Sequence, residues 1–468
     1  MSDEPTGRTV AQRIDALIEA VESFLPPDQH ETTAGLRGRM RNPVRAALVG
    51  RVNAGKSTLL NALVGQRIAP TNETECTEVA TWYRFGAPAR IDVIGLDGRI
   101  ATKAVGHRLP DDFGRPPDEI DHVVAHLPSA LLRDYEIIDT PGLGTLNSAS
   151  TAATRRALLG APTSNGLDRP DVILFLCDTT PRADETGFLA EIGASRIDTV
   201  ALLSHADTFG EGVFGSVDPI DAATRQADEL RKRLPGVAGA VMPVSGLLAE
   251  TALTGHLTEA DALALAKLAN HNEFELADRL VSDNADEQLL SLAELVGEYG
   301  IVHGRAVAPH GAAALTQWLV EKSGLRPVHE QISYRFLERS DVLKARRVLL
   351  ALRELAVGSS HESKIYDVLE QAGMDPVLHP LRELAALDLM VQWDPTHPLV
   401  ERLDRLTLAG SREERLGVAA DTDEATVIEA AKEACLQSRR QRAIAVSAAE
   451  REAWTVLERS YQLMFSGR

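Results

Sequence analysis

The feature that most constrains this chain is the run 50–57, which reads Gly-Arg-Val-Asn-Ala-Gly-Lys-Ser. It follows the short apolar run 46–49 and precedes a helical stretch at 57–64, so it lies between a predicted buried strand and a predicted helix. In such a loop the glycines let backbone N–H groups converge on phosphate oxygens, and the helix N-terminus adds its dipole. A chance glycine-rich turn is the alternative, which the complete pattern disfavours in this context. The run therefore predicts a nucleoside-triphosphate site.

The residue types of this loop predict individual roles. Lys56 would place its charge on the β- and γ-phosphates and so serve catalysis, and the hydroxyl of Ser57 would bind Mg²⁺. The residues expected to contact nucleotide here are Gly50, Asn53, Ala54, Gly55, Lys56, Ser57 and Thr58.

A second motif, Asp-Thr-Pro-Gly at 139–142, follows the apolar strand run 135–138. Asp139 can hold Mg²⁺ through a bound water, and the backbone N–H of Gly142 can contact the γ-phosphate. The D-x-x-G pattern is common by itself. Placed after a strand and downstream of the phosphate loop, it predicts the metal side of the same site.

The segment 204–207, Ser-His-Ala-Asp, follows another apolar strand run and bears on the base. A carboxylate at Asp207 can accept hydrogen bonds from N1 and N2 of guanine, which adenine cannot supply. The segment resembles the N/T-K-x-D element of GTPases, although Ser204 replaces Asn or Thr and His205 replaces Lys. A simple turn cap is the alternative role for Asp207. We expect a guanine site of irregular composition.

A weaker signal lies after the predicted strand 240–244. Ser245 and Gly246 stand where the last base-contacting loop would be, and we include both among the nucleotide-binding candidates.

Thr77 is the candidate switch residue and lies 21 positions after Lys56. Its hydroxyl could complete the Mg²⁺ shell, contribute to catalysis, and order its loop only in the triphosphate state. Thr71, Thr74 and Thr81 are alternatives, as is an ordinary surface threonine.

Catalytic water is harder to assign, because Leu143 stands where a Ras-type enzyme carries its water-orienting glutamine. Leucine cannot orient water, so another group or a second molecule must do so. Arg51 is the cation in the variable part of the phosphate loop and could stabilise transition-state charge in cis or across a dimer. A solvated or structural arginine is the alternative.

Short apolar strands alternate with helical stretches from about residue 45 to 250, a pattern typical of a parallel sheet covered on both faces. We predict an α/β P-loop GTPase domain at 42–255, an N-terminal neck helix and linker at 1–41, and an extended α-helical neck and trunk at 256–468. The linker would cover 28–42. Residues 328–355 would form one helix roughly 40 Å long.

Charge and apolar patterning limit the partners. A net charge of −19 disfavours nucleic acid and any broad attraction to anionic lipid, so a membrane contact would have to be local. The sequence contains no run of about 18 apolar residues, the length that a membrane-spanning helix needs. We therefore expect a cytoplasmic protein that is at most peripheral at the inner membrane face. The basic clusters Arg346-Arg347 and Arg439-Arg440-Arg442 most often mark solvated helix faces, and they are also the best local candidates for lipid headgroups. The apolar patch 389–391 with Trp393 could contact lipid, although burial in the core is the favoured alternative.

Several stretches resemble the bacterial dynamin-like proteins: the run 68–86, the 62-residue spacing from Thr77 to Asp139, and Asp-Thr-Pro-Gly-Leu-Gly at 139–144. The runs 243–249, 321–325 and 339–345 resemble more closely the isoniazid-inducible dynamin-like GTPases of mycobacteria, a pair of which the shorter is more similar. The resemblance covers most of residues 40–357 and is thin beyond them.

The resemblance implies a dynamin GTPase domain on a helical neck and trunk, with the N-terminal helix paired with the last helix. It implies GTP/GDP and Mg²⁺ as cofactors, and self-association through the GTPase domain that completes the active site. Further implied partners are anionic lipid at the inner membrane face and a paralogous dynamin-like protein. A regulatory GTPase whose helical region is a protein-binding module without membrane activity is the alternative.

Overall fold

The computed structural model describes residues 9–70, 79–106, 108–110, 112–143, 148–159, 169–281 and 287–466. Within these ranges nine strands form one sheet. The strands are β1 Val44–Gly50, β2 Thr81–Phe85, β3 Arg90–Gly95, β4 Ile100–Ala104, β5 Ile120–Leu127, β6 Tyr135–Asp139, β7 Val172–Cys177, β8 Thr199–Leu203 and β9 Ala240–Pro243. The α-helices are α1 Val10–Glu22, α2 His30–Arg41, α3 Lys56–Val64, α4 Ser148–Leu159, α5 Ala183–Glu191, α6 Pro219–Arg233, α7 Gly246–Leu253, α8 Glu259–Lys267, α9 Glu273–Val281, α10 Glu287–Gly304, α11 Ala312–Lys322, α12 Leu325–Ile332, α13 Ser340–Ala356, α14 Glu362–Ala372, α15 His379–Trp393, α16 Pro398–Leu408, α17 Arg412–Leu416, α18 Glu424–Ile444 and α19 Ala448–Phe465.

The strand order is β4-β3-β5-β2-β6-β1-β7-β8-β9. Strands β6, β1, β7, β8 and β9 run parallel to one another. Strand β2 is antiparallel to β6, and β3 is antiparallel to both β4 and β5. The predicted, mostly parallel α/β sheet is confirmed. The sequence pattern does not predict β2, β4 and β5, because charged or histidine residues interrupt their apolar runs.

Helices cover both faces of the sheet, as predicted. In β1, Val44 and Leu48 enter one apolar cluster, whereas Ala47 and Val49 enter another on the opposite face. Helices α5 and α6 belong to the second cluster. The first cluster contains α3 and continues into α12, α15, α16 and α19, so the helical region and the sheet share a core. The large helical region is confirmed, whereas its boundary at residue 256 stays a prediction.

The linker prediction for residues 28–42 is wrong, because residues 30–41 form α2. Arg39 on this helix is buried, and its Nη2 lies 2.9 Å from Oδ1 of Asp171, which precedes β7. The backbone N–H of Arg45 donates to the other carboxylate oxygen of Asp171 at 2.9 Å. Burial lowers the pKa of Arg39 to about 10, against the attraction of Asp171. This buried ion pair fixes α2 to the sheet.

The N-terminal helix also differs from expectation. Ile14 and Ile18 of α1 share an apolar cluster with Val348 and Leu352 of α13. The last helix, α19, packs instead against α15 and α18. The implied pairing of the first and last helices is therefore wrong for the described residues.

The single long helix predicted at 328–355 is interrupted. A π-helical turn, Ser333–Leu337, follows α12, and Arg339 leaves helical geometry at φ −113° and ψ 16° before α13 begins. Arg339 donates from Nε to the carbonyl oxygen of Arg335 at 2.8 Å and from Nη1 to that of Thr407 at 2.8 Å. The break therefore lets an arginine reach α16, a tertiary contact that helical periodicity cannot reveal.

A buried ionic cluster joins the sheet to the helical region. Asp198 precedes β8 and is fully buried, and its Oδ2 lies 3.3 Å from Nη1 of Arg346 and 2.9 Å from Nη2 of Arg347 on α13. Arg346 also pairs with Asp388 on α15 at 2.5 Å. The prediction that Arg346-Arg347 faces lipid is therefore wrong, because both guanidinium groups form ion pairs with carboxylates of the protein itself.

Removing the central carboxylate should destabilise the whole molecule. We expect Asp198→Ala to lower the free energy of unfolding by about 3–5 kcal/mol, because it removes the fully buried carboxylate that pairs with both Arg346 and Arg347. Chemical denaturation followed by circular dichroism measures the change. Asp367→Ala, which removes an exposed carboxylate on α14, is the control and should stay within about 0.5 kcal/mol. Equal denaturation midpoints for Asp198→Ala and Asp367→Ala would contradict the role of Asp198.

Candidate nucleotide site

The predicted motifs meet at one edge of the sheet. The phosphate loop follows β1, Asp139 ends β6, and the segments 204–207 and 244–246 follow β8 and β9. All four strands are parallel, so their carboxyl ends lie at the same edge, where ligands bind in open α/β sheets. The tertiary structure therefore brings together motifs that are up to 196 residues apart, from Gly50 to Gly246.

The phosphate loop has the backbone that its glycines predict. A Cβ at Gly50 would collide with the carbonyl oxygen of Leu176, and Gly55 has a φ of 82° that side chains rarely adopt. Lys56 begins α3 and is buried, and its Nζ donates to the carbonyl oxygens of Gly50 at 3.1 Å and Arg51 at 2.8 Å. The ammonium group is thus folded back over the loop that would surround the phosphates.

The metal side of the site has a free acceptor. Ser57 Oγ donates to Oδ2 of Asp139 at 3.3 Å, and Asp139 is almost completely buried. Its Oδ1 is buried without a hydrogen-bond partner among the described residues. Burial raises the pKa of Asp139 to about 6, opposed by the charge of Lys56 and the bond from Ser57. A hydroxyl beside an unsatisfied carboxylate oxygen fits Mg²⁺ with a bound water, since Mg²⁺ takes oxygen ligands.

Segment 140–143 packs directly on the phosphate loop. Thr140 Oγ1 donates to the carbonyl oxygen of Leu48 at 2.7 Å, and the N–H of Leu143 donates to that of Gly50 at 3.0 Å. A Cβ at Gly142 would lie 2.5 Å from Cγ2 of Val52, so only glycine fits. Leu143 is 7% exposed and belongs to the apolar core. The position of a water-orienting glutamine is therefore occupied by a buried apolar side chain.

His205 joins the base loop to the phosphate loop. Its Nε2 lies 3.0 Å from the carbonyl oxygen of Asn53, a geometry that lets the imidazole N–H donate. His205 and Asn53 have φ values of 55° and 62°, and they are the two non-glycine residues with positive φ in the described part of the chain. Such backbone strain is typical of functional sites, where the surrounding structure maintains it. His205, which stands at the position of the usual lysine, thus connects segment 204–207 to the phosphate loop.

A cavity of about 560 Å³ opens beside this contact. Asp207 is buried in the cavity wall, which also contains His205 and Thr208. Ser204, the first residue after β8, lines the cavity as well. The other lining residues that matter here are Gly55, Thr58, Gly246, Leu247, Glu250 and Glu294. The volume lies in the range of small-molecule pockets, and it begins at the phosphate loop.

Two predicted base-contacting hydroxyls are engaged by the backbone. Ser204 Oγ donates to the carbonyl oxygen of Cys177 at 3.1 Å. Ser245 is fully buried, and its Oγ accepts from the N–H of Leu248 at 3.3 Å as the N-cap of α7. Gly246, rather than the Ser245 side chain, lines the cavity. Both serines therefore shape the loops that carry Asp207 and Gly246.

Of the remaining catalytic candidates, Arg51 lies in the described part of the chain and Thr77 does not. Arg51 Nη1 pairs with Oδ2 of Asp184 at the start of α5, at 2.8 Å. Thr77 lies outside the described residues, as do the alternatives Thr71 and Thr74. Thr81 is buried at the start of β2.

Sequence reasoning missed Asn61, which is fully buried in α3. Its Oδ1 accepts from the N–H groups of Ile68 and Ala69 at 3.0 and 2.8 Å, and its Nδ2 donates to Glu250 on α7 at 2.7 Å. Asn61 thereby fixes the start of the loop that leads towards residue 71 and connects it to α7. A lone amide within the apolar run 59–64 was the available signal.

Comparisons with known proteins identify related chains. A family model described as a 50S ribosome-binding GTPase matches residues 45–204, from β1 to the base loop. The isoniazid-induced protein IniC of Mycobacterium tuberculosis is 35% identical over 379 residues, which cover 75% of this chain and 75% of that protein. A bacterial dynamin-like protein of Nostoc punctiforme is 26% identical over 227 residues, which cover 45% of this chain and 31% of that protein.

Among solved structures, one chain of an oligomerised bacterial dynamin pair aligns over 99% of this chain and 76% of its own length. The alignment has 13% sequence identity and a TM-score of 0.34.

The base-reading role of Asp207 can be tested by exchanging its acceptor for a donor. We expect Asp207→Asn to weaken GTP binding by about tenfold or more and to improve XTP binding, because xanthine carries a carbonyl where guanine carries its amine. Isothermal titration calorimetry measures both affinities.

Asp228→Asn, at an exposed position on α6, is the matched control and should leave both affinities unchanged. Lys56→Ala should instead weaken GTP and XTP alike, since it acts on the phosphates. Wild-type GTP affinity in Asp207→Asn would contradict the assignment.

Proposed function

Because the chain belongs to the family of dynamin-like GTPases that includes the isoniazid-induced protein IniC of Mycobacterium tuberculosis, we propose that it couples nucleotide-dependent self-association to remodelling or maintenance of the cytoplasmic membrane face. The chain is a GTPase that converts GTP and water to GDP and phosphate, with Mg²⁺. The observation that carries the self-association step is the burial of Leu143, which leaves the position of the water-orienting glutamine apolar.

Within one molecule the site binds and orients the nucleotide. Lys56 exchanges its two backbone acceptors for β- and γ-phosphate oxygens, and Ser57 with Asp139 holds the metal side. Bound Mg²⁺ supplies charge neutralisation at the β- and γ-phosphates. The N–H of Gly142 contacts the γ-phosphate, and Thr77 closes over it in the triphosphate state. Asp207 reads the guanine edge in the cavity beside His205.

Arg51 is the residue by which association stimulates hydrolysis. In the single chain its guanidinium group is held by Asp184, which is more than half exposed and therefore accessible to a second molecule. Association of two GTPase domains over this surface releases Arg51 from Asp184, so that it stabilises the negative charge of the transition state. A stabilising arginine increases turnover by about 10³–10⁵-fold in GTPases.

Turnover per molecule should therefore rise with protein concentration. We expect Arg51→Ala to lower the maximal rate by about 10³-fold or more, the range of arginine contributions, while GTP affinity stays unchanged. Asp184→Asn should retain or increase turnover, because it removes the competing ion pair. Phosphate release at several protein concentrations measures the rates. Flat specific activity in the wild type would contradict association, and full activity in Arg51→Ala would contradict the arginine assignment.

The membrane contact must be local, because the chain carries a net charge of −19. Among the residues that the structure describes, no helix is long and apolar enough to cross a bilayer. In the patch 389–391, Met390 is buried, whereas Leu389 and Trp393 are partly exposed. These observations favour a small peripheral surface over an embedded segment.

The connection between α18 and α19 fits such a surface. Ile444 and Val446 are 70% and 85% exposed, which is unusual for two apolar residues so close in sequence. Of the three arginines between 439 and 447, Arg439 and Arg442 pair with Glu458 on α19 at 2.8 and 3.0 Å, so the proposed contact rests mainly on the exposed apolar side chains. Exposed apolar groups at a helix connection match the apolar boundary of a bilayer surface.

Lipid binding can be tested by sedimentation with anionic vesicles, with and without a non-hydrolysable GTP analogue. We expect the wild type to co-sediment in a nucleotide-dependent manner and the double variant Ile444→Ser and Val446→Ser to lose most binding, since it removes the apolar contact. Phe274→Ser is the matched control, because Phe274 is 88% exposed on α9.

Wild-type protein that stays in the supernatant would overturn the membrane proposal and favour a regulatory GTPase with a protein-binding helical module. Equal binding by wild type and double variant would move the contact to another surface. Testing turnover with a paralogous dynamin-like protein added distinguishes hetero- from self-association.

A further inference from the structure

Helix α10 forms a wall of the cavity beside the phosphate loop, although it lies outside every nucleotide motif of the sequence. Glu294 on this helix lines the cavity together with Asp207 and His205. The carbonyl oxygen of Leu295, the next residue, accepts a hydrogen bond from Thr251 Oγ1 on α7. The helix is thus held against the loop that carries Gly246.

A backbone break brings α10 close to Asp207. Gly297 interrupts the helix with φ 65° and ψ 175°. A Cβ on Gly297 would lie 3.5 Å from Oδ2 of Asp207 and 3.2 Å from Cδ2 of Leu247. The break therefore lies directly against the carboxylate that reads the base, and Glu294 is three residues before it. This places α10 beside Asp207, the candidate base-reading residue.

Three carboxylates line this cavity: Asp207, Glu250 and Glu294. Glu250 is buried and occupied, since it accepts from Nδ2 of Asn61 at 2.7 Å and lies 3.4 Å from Nε of Arg67. Glu294 is exposed at the opening. It is therefore the carboxylate of the three that is most accessible to a ligand entering from solvent.

The guanine edge presents more donors than Asp207 can satisfy. Guanine carries N1–H and two hydrogens on its 2-amino group, whereas one carboxylate accepts from N1–H and one of those two hydrogens. A donor that is removed from water needs a partner, and leaving it without one costs binding energy. The second amino hydrogen points away from N1 and can donate to an acceptor beyond Asp207.

The usual base-reading residues are altered in this chain. Ser204 donates to the carbonyl oxygen of Cys177, and His205 replaces the lysine and contacts the carbonyl oxygen of Asn53. A carboxylate from α10 adds an acceptor on the side of the base where Asp207 lies. It also places negative charge beside that edge, which disfavours a base with a carbonyl at C2.

We propose that Glu294 is a specificity-determining residue, which accepts a hydrogen bond from the 2-amino group of guanine and makes α10 part of the nucleotide site. The inference rests on the assignment of this cavity to guanine. It extends the base-reading site from the loops that follow the strands to α10, which belongs to the helical region. The base would then contact both parts of the chain.

The test compares GTP with ITP, which lacks the 2-amino group, by titration calorimetry on the full chain. We expect Glu294→Ala to weaken GTP binding by about five- to tenfold, the lower range for a charge-assisted hydrogen bond at an exposed position, and to leave ITP binding unchanged. Glu294→Gln keeps an acceptor oxygen and should recover part of the GTP affinity. Glu298→Ala, at an exposed position after the break on the same helix, is the matched control.

Each outcome separates the inference from the function on which it rests. Unchanged GTP affinity in Glu294→Ala, or an equal loss for GTP and ITP, would overturn the role of Glu294 while GTP binding by the wild type stands. If Asp207→Asn also left GTP binding unchanged, the assignment of the cavity to guanine would be wrong, and the role of Glu294 would be wrong with it. A loss confined to GTP, with normal Glu298→Ala, supports the inference.

Discussion

The carbonyl oxygen of Gly50, at the end of β1, connects the phosphate loop to the metal side of the site. It accepts from Nζ of Lys56 at 3.1 Å and from the N–H of Leu143 at 3.0 Å. Gly50 lies so close to Leu176 on β7 that any side chain would collide with a backbone oxygen. One residue without a side chain thus holds β1, the loop and segment 140–143 in register. The geometry of Lys56, Ser57 and Asp139 depends on this contact.

The helical region is attached to the same sheet by buried charge. Asp198 pairs with Arg346 and Arg347, and Asp171 pairs with Arg39. Buried pairs add little net stability compared with apolar packing, but they impose a defined geometry because breaking one leaves an uncompensated charge. The apolar core also continues from the sheet into α12, α15 and α16. The sheet and α13 are therefore joined by a specific set of charged and apolar contacts.

The proposed base-reading end of the site combines the irregular motif 204–207 with residues from other elements. His205 contacts the phosphate loop through an imidazole in a strained backbone conformation, and Gly297 lets α10 approach Asp207. The same cavity reaches Asn61 through Glu250, and Asn61 binds the start of the loop that contains the switch candidate. The cavity wall and residues 68–69 thus share a hydrogen-bonded connection across α3 and α7.

The sequence alone determined the nucleotide site and the fold class, because local patterns encode them. The phosphate loop needs its glycines and Lys56 in consecutive positions, and Asp139 must follow a strand, so both are visible without a structure. Alternation of apolar strands with helices likewise predicts the sheet. Only the tertiary structure decided that residues 30–41 are helical, that Arg346 and Arg347 pair with Asp198, and that α10 lines the cavity. These features arise from contacts between residues more than a hundred positions apart, such as Arg39 with Asp171 and Arg347 with Asp198, and no local pattern records such a contact.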